Sequence, residues 1–156
     1  MDESTMQAHL MKWLMLERNH DAVVPNLTAL YYWECDLLSV TKSRLAHEFE
    51  IKISRSDYLA DKKKSKHSSM EIEWGIPHRT KFCPNYFWYA IHGFDVSASE
   101  LPTKAGLLRV SDSGGIAIIS DAPRLHKDKI TDSQMAKMAR WLSFKLSAKY
   151  AQLYTS

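Results

Sequence analysis

The sequence predicts a single α/β domain, and three observations carry that expectation. An amphipathic helix opens the chain, apolar strand-like runs joined by short polar turns fill its middle, and a long capped helix closes it. The length of 156 residues is about that of one domain. Apolar residues make up 45% and charged residues 25%, an ordinary globular balance that argues against disorder. There is no internal repeat, low-complexity tract or linker, so residues 1–156 are expected to form one domain.

The elements follow in order. From Ser4 to about Asn19, Met6, Leu10, Trp13 and Leu14 recur at helical spacing, with Ser4 or Thr5 as the cap. Pro25-Asn26 is a turn signal. Ala29 to Val40 and Leu45 to Ile53 read as two strands of an antiparallel hairpin across Thr41-Lys42-Ser43-Arg44. Ser54 with Asp57 forms a capping box that opens a helix to about His67. Ser68 to Pro84 has no clear period and is expected to be a loop. Phe87 to His92 is a buried strand, and Gly106–Val110 with Gly115–Ile119 forms a second hairpin. Asp132 caps a final helix to about Tyr154, whose buried stripe would be Met135, Met138, Ala139, Leu142 and Leu146.

Composition excludes several classes. Cys35 and Cys83 cannot make a disulfide framework, which points to a reducing, cytoplasmic setting. No apolar run approaches the roughly 18–20 residues of a membrane span. Met1-Asp2-Glu3-Ser4 lacks the basic and apolar regions of a secretory signal. The net charge is only +3, but its distribution is uneven. Met1 to Glu50 carries eight acids and four bases, whereas Ile51 to Lys81 carries eight bases and four acids. That order suits a protein that holds a cation and grips a polyanion, although Lys62-Lys63-Lys64 would equally suit a solvated helix face.

The first hairpin carries the chemistry. Residues two apart on a strand share a face, which aligns Glu34 and Asp36 on one strand with Glu48, Glu50 and Lys52 on its neighbour. Buried without compensation, such carboxylates repel one another. Oxygen ligands of this kind suit Mg2+ or Mn2+, and an ammonium at Lys52 could orient a water or offset charge on a phosphoryl oxygen. The plainer alternative is a solvent-facing strand whose acids pair with lysines of a covering helix. The histidines are scattered without zinc spacing, and Cys35 is expected to be core.

Asp36 followed by Glu50-Ile51-Lys52 resembles the PD-(D/E)XK nuclease superfamily, whose signature is an acid on one strand and E-x-K on the next. The resemblance extends over Val24-Pro25-Asn26, Trp33-Glu34-Cys35-Asp36, Glu48-Phe49-Glu50-Ile51-Lys52, Ser54-Arg55-Ser56-Asp57, Lys66-His67, Pro84-Asn85-Tyr86-Phe87 and Ala105-Gly106-Leu107, which look like small bacterial and phage nucleases related to DNA-repair proteins. It implies a restriction-endonuclease-like fold, a central mixed sheet with helices on both faces. It further implies metal-dependent hydrolysis of DNA, with Asp36, Glu50 and the Ile51 carbonyl holding Mg2+ or Mn2+ and Lys52 serving the attacking water. Glu48 would be an additional acid of the site. Relatives place a glutamate on the first helix, for which helix geometry favours Glu3 over Glu17, with Gln7 as a neutral alternative. Glu34 is a further candidate, or a structural salt-bridge partner.

Phosphate contacts are expected from Ser54, Arg55 and Ser56 at a helix start. Lys62, Lys63, Lys66 and His67 would track the backbone beyond them. DNA is thus the expected partner, with no membrane association; a homodimer would suit cleavage of two strands. Two other classes remain open: a DNA- or junction-binding module with little catalysis, and a phage-type interaction protein acting on host DNA-processing factors.

Overall fold

The computed structural model describes residues 1–28, 30–31, 33–61 and 83–155. Its first helix, α1 (Glu3–Lys12), runs on into a π-helical turn at Trp13–Glu17. Asp2, rather than Ser4 or Thr5, caps it by accepting from the Thr5 amide at 2.7 Å. Strands β1 (Ala22–Leu27), β2 (Cys35–Val40) and β3 (Ala46–Lys52) follow, then α2 (Arg55–Asp61). Strands β4 (Tyr86–Ile91), β5 (Ala105–Val110) and β6 (Ile116–Ser120) lead to α3 (Asp132–Tyr154). The strands form one six-stranded sheet in sequence order. It is mixed: β3, β4 and β5 run parallel, and the remaining neighbours pair antiparallel.

Alternation along the strands sorts the core into two layers. On one face Met6 and Leu10 of α1 and Leu14 of the π-helical turn pack on Leu37, Phe49, Ile51, Trp88 and Leu108. On the other, Tyr58 of α2 meets Phe87, Tyr89 and Ile91, while Met138 of α3 meets Val24, Leu38 and Val40. Helices therefore cover both faces of the sheet. Among the described residues, no helix is long and apolar enough to cross a membrane.

Both expected hairpins are present, as β2–β3 and β5–β6. Several other expectations are corrected. Pro25 and Asn26 lie inside β1 rather than in a turn between elements. An edge strand tolerates proline, and Asn26 adopts the left-handed φ of 50° that its turn-forming chemistry permits. The strand expected from Ala29 begins only at Cys35, which leaves Glu34 outside it and exposed. On α3, Thr131 is the cap, in a reciprocal box with Gln134. Only Met138 of its expected stripe is fully buried, and Leu146 is 59% exposed. The helix after Ser54 is described to Asp61; its expected continuation to His67, and most of the expected loop to Pro84, lie outside the described residues.

Close packing of β4 on β5 yields a stability prediction. A Cβ at Gly106 would stand 2.5 Å from the Trp88 ring and 2.6 Å from the Ala122 backbone nitrogen. Gly106→Ala should therefore destabilise the fold by about 1–3 kcal/mol, the usual range for overpacking. Urea denaturation would read it; an unchanged midpoint would mean that Trp88 and the β6 exit move freely apart.

Candidate active site

The site forms where β2 and β3 part. Their paired residues run from Val40↔Ala46 to Leu37↔Phe49, so Asp36 and Glu50 come level just past the last pair. On the other side of β2, the left-handed turn of backbone at Asn26 interrupts the β1 ladder at the same level. Gln7 of α1 fills this gap. Its amide donates to Asn26 Oδ1 at 3.2 Å and to the Asp36 carbonyl at 2.6 Å. The Asp36 carboxylate is held by the Ile51 amide, which donates to Oδ2 at 2.9 Å. A strand residue directs its N–H and C=O to the same edge, so the Ile51 carbonyl faces the edge on which Asp36 lies.

Glu50 and Lys52 project from β3 onto the opposite face from Ile51, and are 2% and 8% exposed. Lys52 Nζ donates to Glu50 Oε1 at 2.8 Å and stands 3.3 Å from Asp61 Oδ1. Asp61, fully buried at the end of α2, accepts on its other oxygen from the Tyr89 hydroxyl at 2.9 Å. Burial, with the Asp61 charge and hydrogen bond behind it, holds the Tyr89 hydroxyl far above the usual phenol range. The amine is thus clamped between carboxylates from two elements.

Asp36 is held abnormally basic, its pKa raised from 3.8 to about 6. Burial is the larger cause and the Glu50 charge the next; Glu3 adds to them, while the Ile51 amide and Lys52 oppose. The Glu3 contribution puts that residue on Asp36's side of α1. Glu17 instead lines a separate cleft with His20 and Lys42.

The remaining candidates divide. Glu48 is fully buried beside Glu50 on β3, and both its oxygens accept from Trp33 Nε1 at 3.0 Å. Glu34 is exposed ahead of β2 and does not share the face of Asp36, because the alternation on which that placement rested stops at Cys35. Ser54 is occupied as the α2 cap, accepting from the Asp57 amide at 3.2 Å, and it also meets Ser56. Arg55 does not point free toward a phosphate: its guanidinium donates to the Asp95 carbonyl at 3.0 Å and to the Glu100 carboxylate. The Ser97 amide first, then the Arg55 guanidinium and the Ser97 hydroxyl, hold Glu100 down at about 2. Lys62, Lys63, Lys66 and His67 lie outside the described residues.

The sequence reading does not reach Asp61, the structural use of Asn26, or the hydrogen bonds of Trp33 and Tyr89. A hydroxyl or indole N–H that must find a buried partner was the available signal for the latter two. Among the described residues, no group of three or more His, Cys, Asp or Glu side chains is arranged to hold a metal ion. The oxygens that register and mutual charge bring together are those of Asp36 and Glu50, with the Ile51 carbonyl directed to the same edge. That set matches the habit of magnesium, which takes one or two carboxylates and keeps several waters.

These features define a single-domain α/β protein with a buried acid–lysine cluster at a strand divergence. No model of a known protein family matches the chain, and no curated protein matches it. Among solved structures it is similar to the SPO1766 protein of unknown function from Silicibacter pomeroyi, at 18% identity and a TM-score of 0.63. The match covers 98% of this chain and 92% of that one. It shows a shared fold, the six-stranded mixed sheet with its helices.

Proposed function

We propose that this protein is a divalent-metal-dependent deoxyribonuclease, with a restriction-endonuclease-like domain of the PD-(D/E)XK type. The observation that carries the reading is the convergence of Asp36, Glu50 and Lys52 at the point where β2 and β3 separate. The raised pKa of Asp36 supports it further. A half-buried carboxylate whose proton affinity is raised by burial and then by the charge of a second acid marks a place where a cation lowers the free energy. Asp36 and Glu50 would hold Mg2+ or Mn2+, with the Ile51 carbonyl beside them.

Such an ion, when bound, supplies activation of water and neutralisation of phosphoryl charge. The protein's own groups do the rest. The Ile51 amide and Gln7 fix Asp36 from two sides. Glu50 and Asp61 hold the Lys52 ammonium in place, and an ammonium has three protons to donate. One is donated to Glu50, and the Asp61 charge at 3.3 Å restrains the head, so a proton would remain for a water or a phosphate oxygen. Glu48, locked to Trp33, is fixed on β3 two residues from Glu50.

The test is incubation of the protein with single-stranded, duplex and branched DNA in magnesium, manganese or EDTA. Products that require metal are expected. Tight binding without products in any metal would instead select a non-catalytic DNA-binding module.

A further inference from the structure

We propose that the groove between α1, β1 and α3 seats a single strand of DNA and leads its backbone to the acid cluster; this rests on the nuclease reading above. The groove has a volume of about 660 Å³, within the ordinary range of ligand clefts and suited to a few nucleotides of one strand rather than to a duplex. It adjoins the site directly. Gln7 and Asn26 line it, and the same Gln7 amide bonds both Asn26 and the Asp36 carbonyl.

Charge points to the occupant. Lys145 and Lys149 of α3 line the groove, and no acid does so among its described lining residues. The acid cluster repels a polyanion and Arg55 is engaged with Glu100, so attraction must come from elsewhere. Lys145 stands over the Trp141 ring, 5.1 Å from its centroid, which limits how far its ammonium wanders. Met11 and Leu142 add apolar surface for sugars and bases. A basic groove that tracks the backbone is what sequence-tolerant strand binding uses for affinity.

The test is fluorescence anisotropy of a labelled single-stranded oligonucleotide in EDTA across a salt series, alongside cleavage in magnesium and manganese. Two lost phosphate contacts on a single strand lower the salt slope by about 1.4. The double variant Lys145→Gln/Lys149→Gln should show that change and bind about 25-fold more weakly at 0.1 M salt, the same slope difference carried up to 1 M. Lys42→Gln/Lys127→Gln removes equal charge outside the groove and should stay within about twofold of the native protein, against that 25-fold. Native-like binding by the groove variant, or an equal loss in the matched control, would overturn the groove whether or not the native protein cleaves. Lysine-dependent binding with no product in any metal would sink the nuclease reading and leave the groove standing. Neither binding nor cleavage would overturn both.

Discussion

Replacing Asp36 by asparagine should abolish metal-dependent cleavage and yet make the protein more stable at neutral pH. Both halves follow from one arrangement. The Asp36 carboxyl takes its proton at about pH 6 in the folded protein, against the ordinary value of 3.8, because burial and then the Glu50 charge oppose ionisation. Between those values the folded chain binds more protons than the unfolded chain, so stability falls as pH rises from about 4 to about 6. Above that window the full penalty applies, on the order of 3 kcal/mol at about 1.4 kcal/mol per pH unit. Asparagine removes it, and its amide oxygen can still accept from the Ile51 N–H.

Urea denaturation in EDTA should therefore show Asp36→Asn gaining up to about 3 kcal/mol at pH 8, with the gain gone by about pH 4. Cleavage should fall by roughly 10³-fold, equivalent to about 4 kcal/mol of transition-state stabilisation. Added magnesium or manganese should stabilise the native protein, by about 2.7 kcal/mol at a hundredfold excess over Kd, and should leave the variant unmoved. A variant that is less stable at pH 8 and still cleaves would make Asp36 a structural acid, and the proposal would fail at its centre.

The hairpin that holds this acid was legible because strand periodicity is local. Glu48, Glu50 and Lys52 alternate with Phe49 and Ile51, and only one register puts the apolar pair in the core. Where local chemistry serves two ends, reading failed. Pro25 and Asn26 carry turn propensities, but a left-handed asparagine in an edge strand uses the same propensity to open a gap at Asp36. Glu34 was misplaced because alternation was carried back through residues that are not strand; there Trp33 turns its indole N–H onto Glu48 instead. The stripe of α3 stopped being informative past Leu142 for a reason of length. A helix of 23 residues spans about 35 Å, while strands of five to seven residues span roughly 17–23 Å, so its final turns outrun the sheet. Asp61 could not be read at all, since its partners Lys52 and Tyr89 come from separate strands.

That residue carries the second large effect. Asp61→Ala removes one of two carboxylates that hold an almost fully buried ammonium, and takes from the Tyr89 hydroxyl the acceptor it has at 2.9 Å. Breaking a buried charge pair by deleting one member costs about 3–5 kcal/mol, and the denaturation midpoint should fall accordingly. Loss of stability alone would not separate a prop from a residue that aims Lys52, so two further variants matter. Tyr89→Phe deletes the hydroxyl and leaves Lys52 beside Asp61; it should cost about 1–2 kcal/mol with kcat nearly unchanged. Asp61→Asn keeps an acceptor for Tyr89 but weakens the hold on the ammonium; it should lower kcat while KM stays constant, because what is lost acts on the reacting phosphate rather than on strand binding. Equal kcat in Asp61→Asn and Tyr89→Phe would reduce Asp61 to a packing element. The expected split arises because, in the proposed nuclease, Lys52 would serve the chemistry only when the acids on both β3 and α2 restrain it.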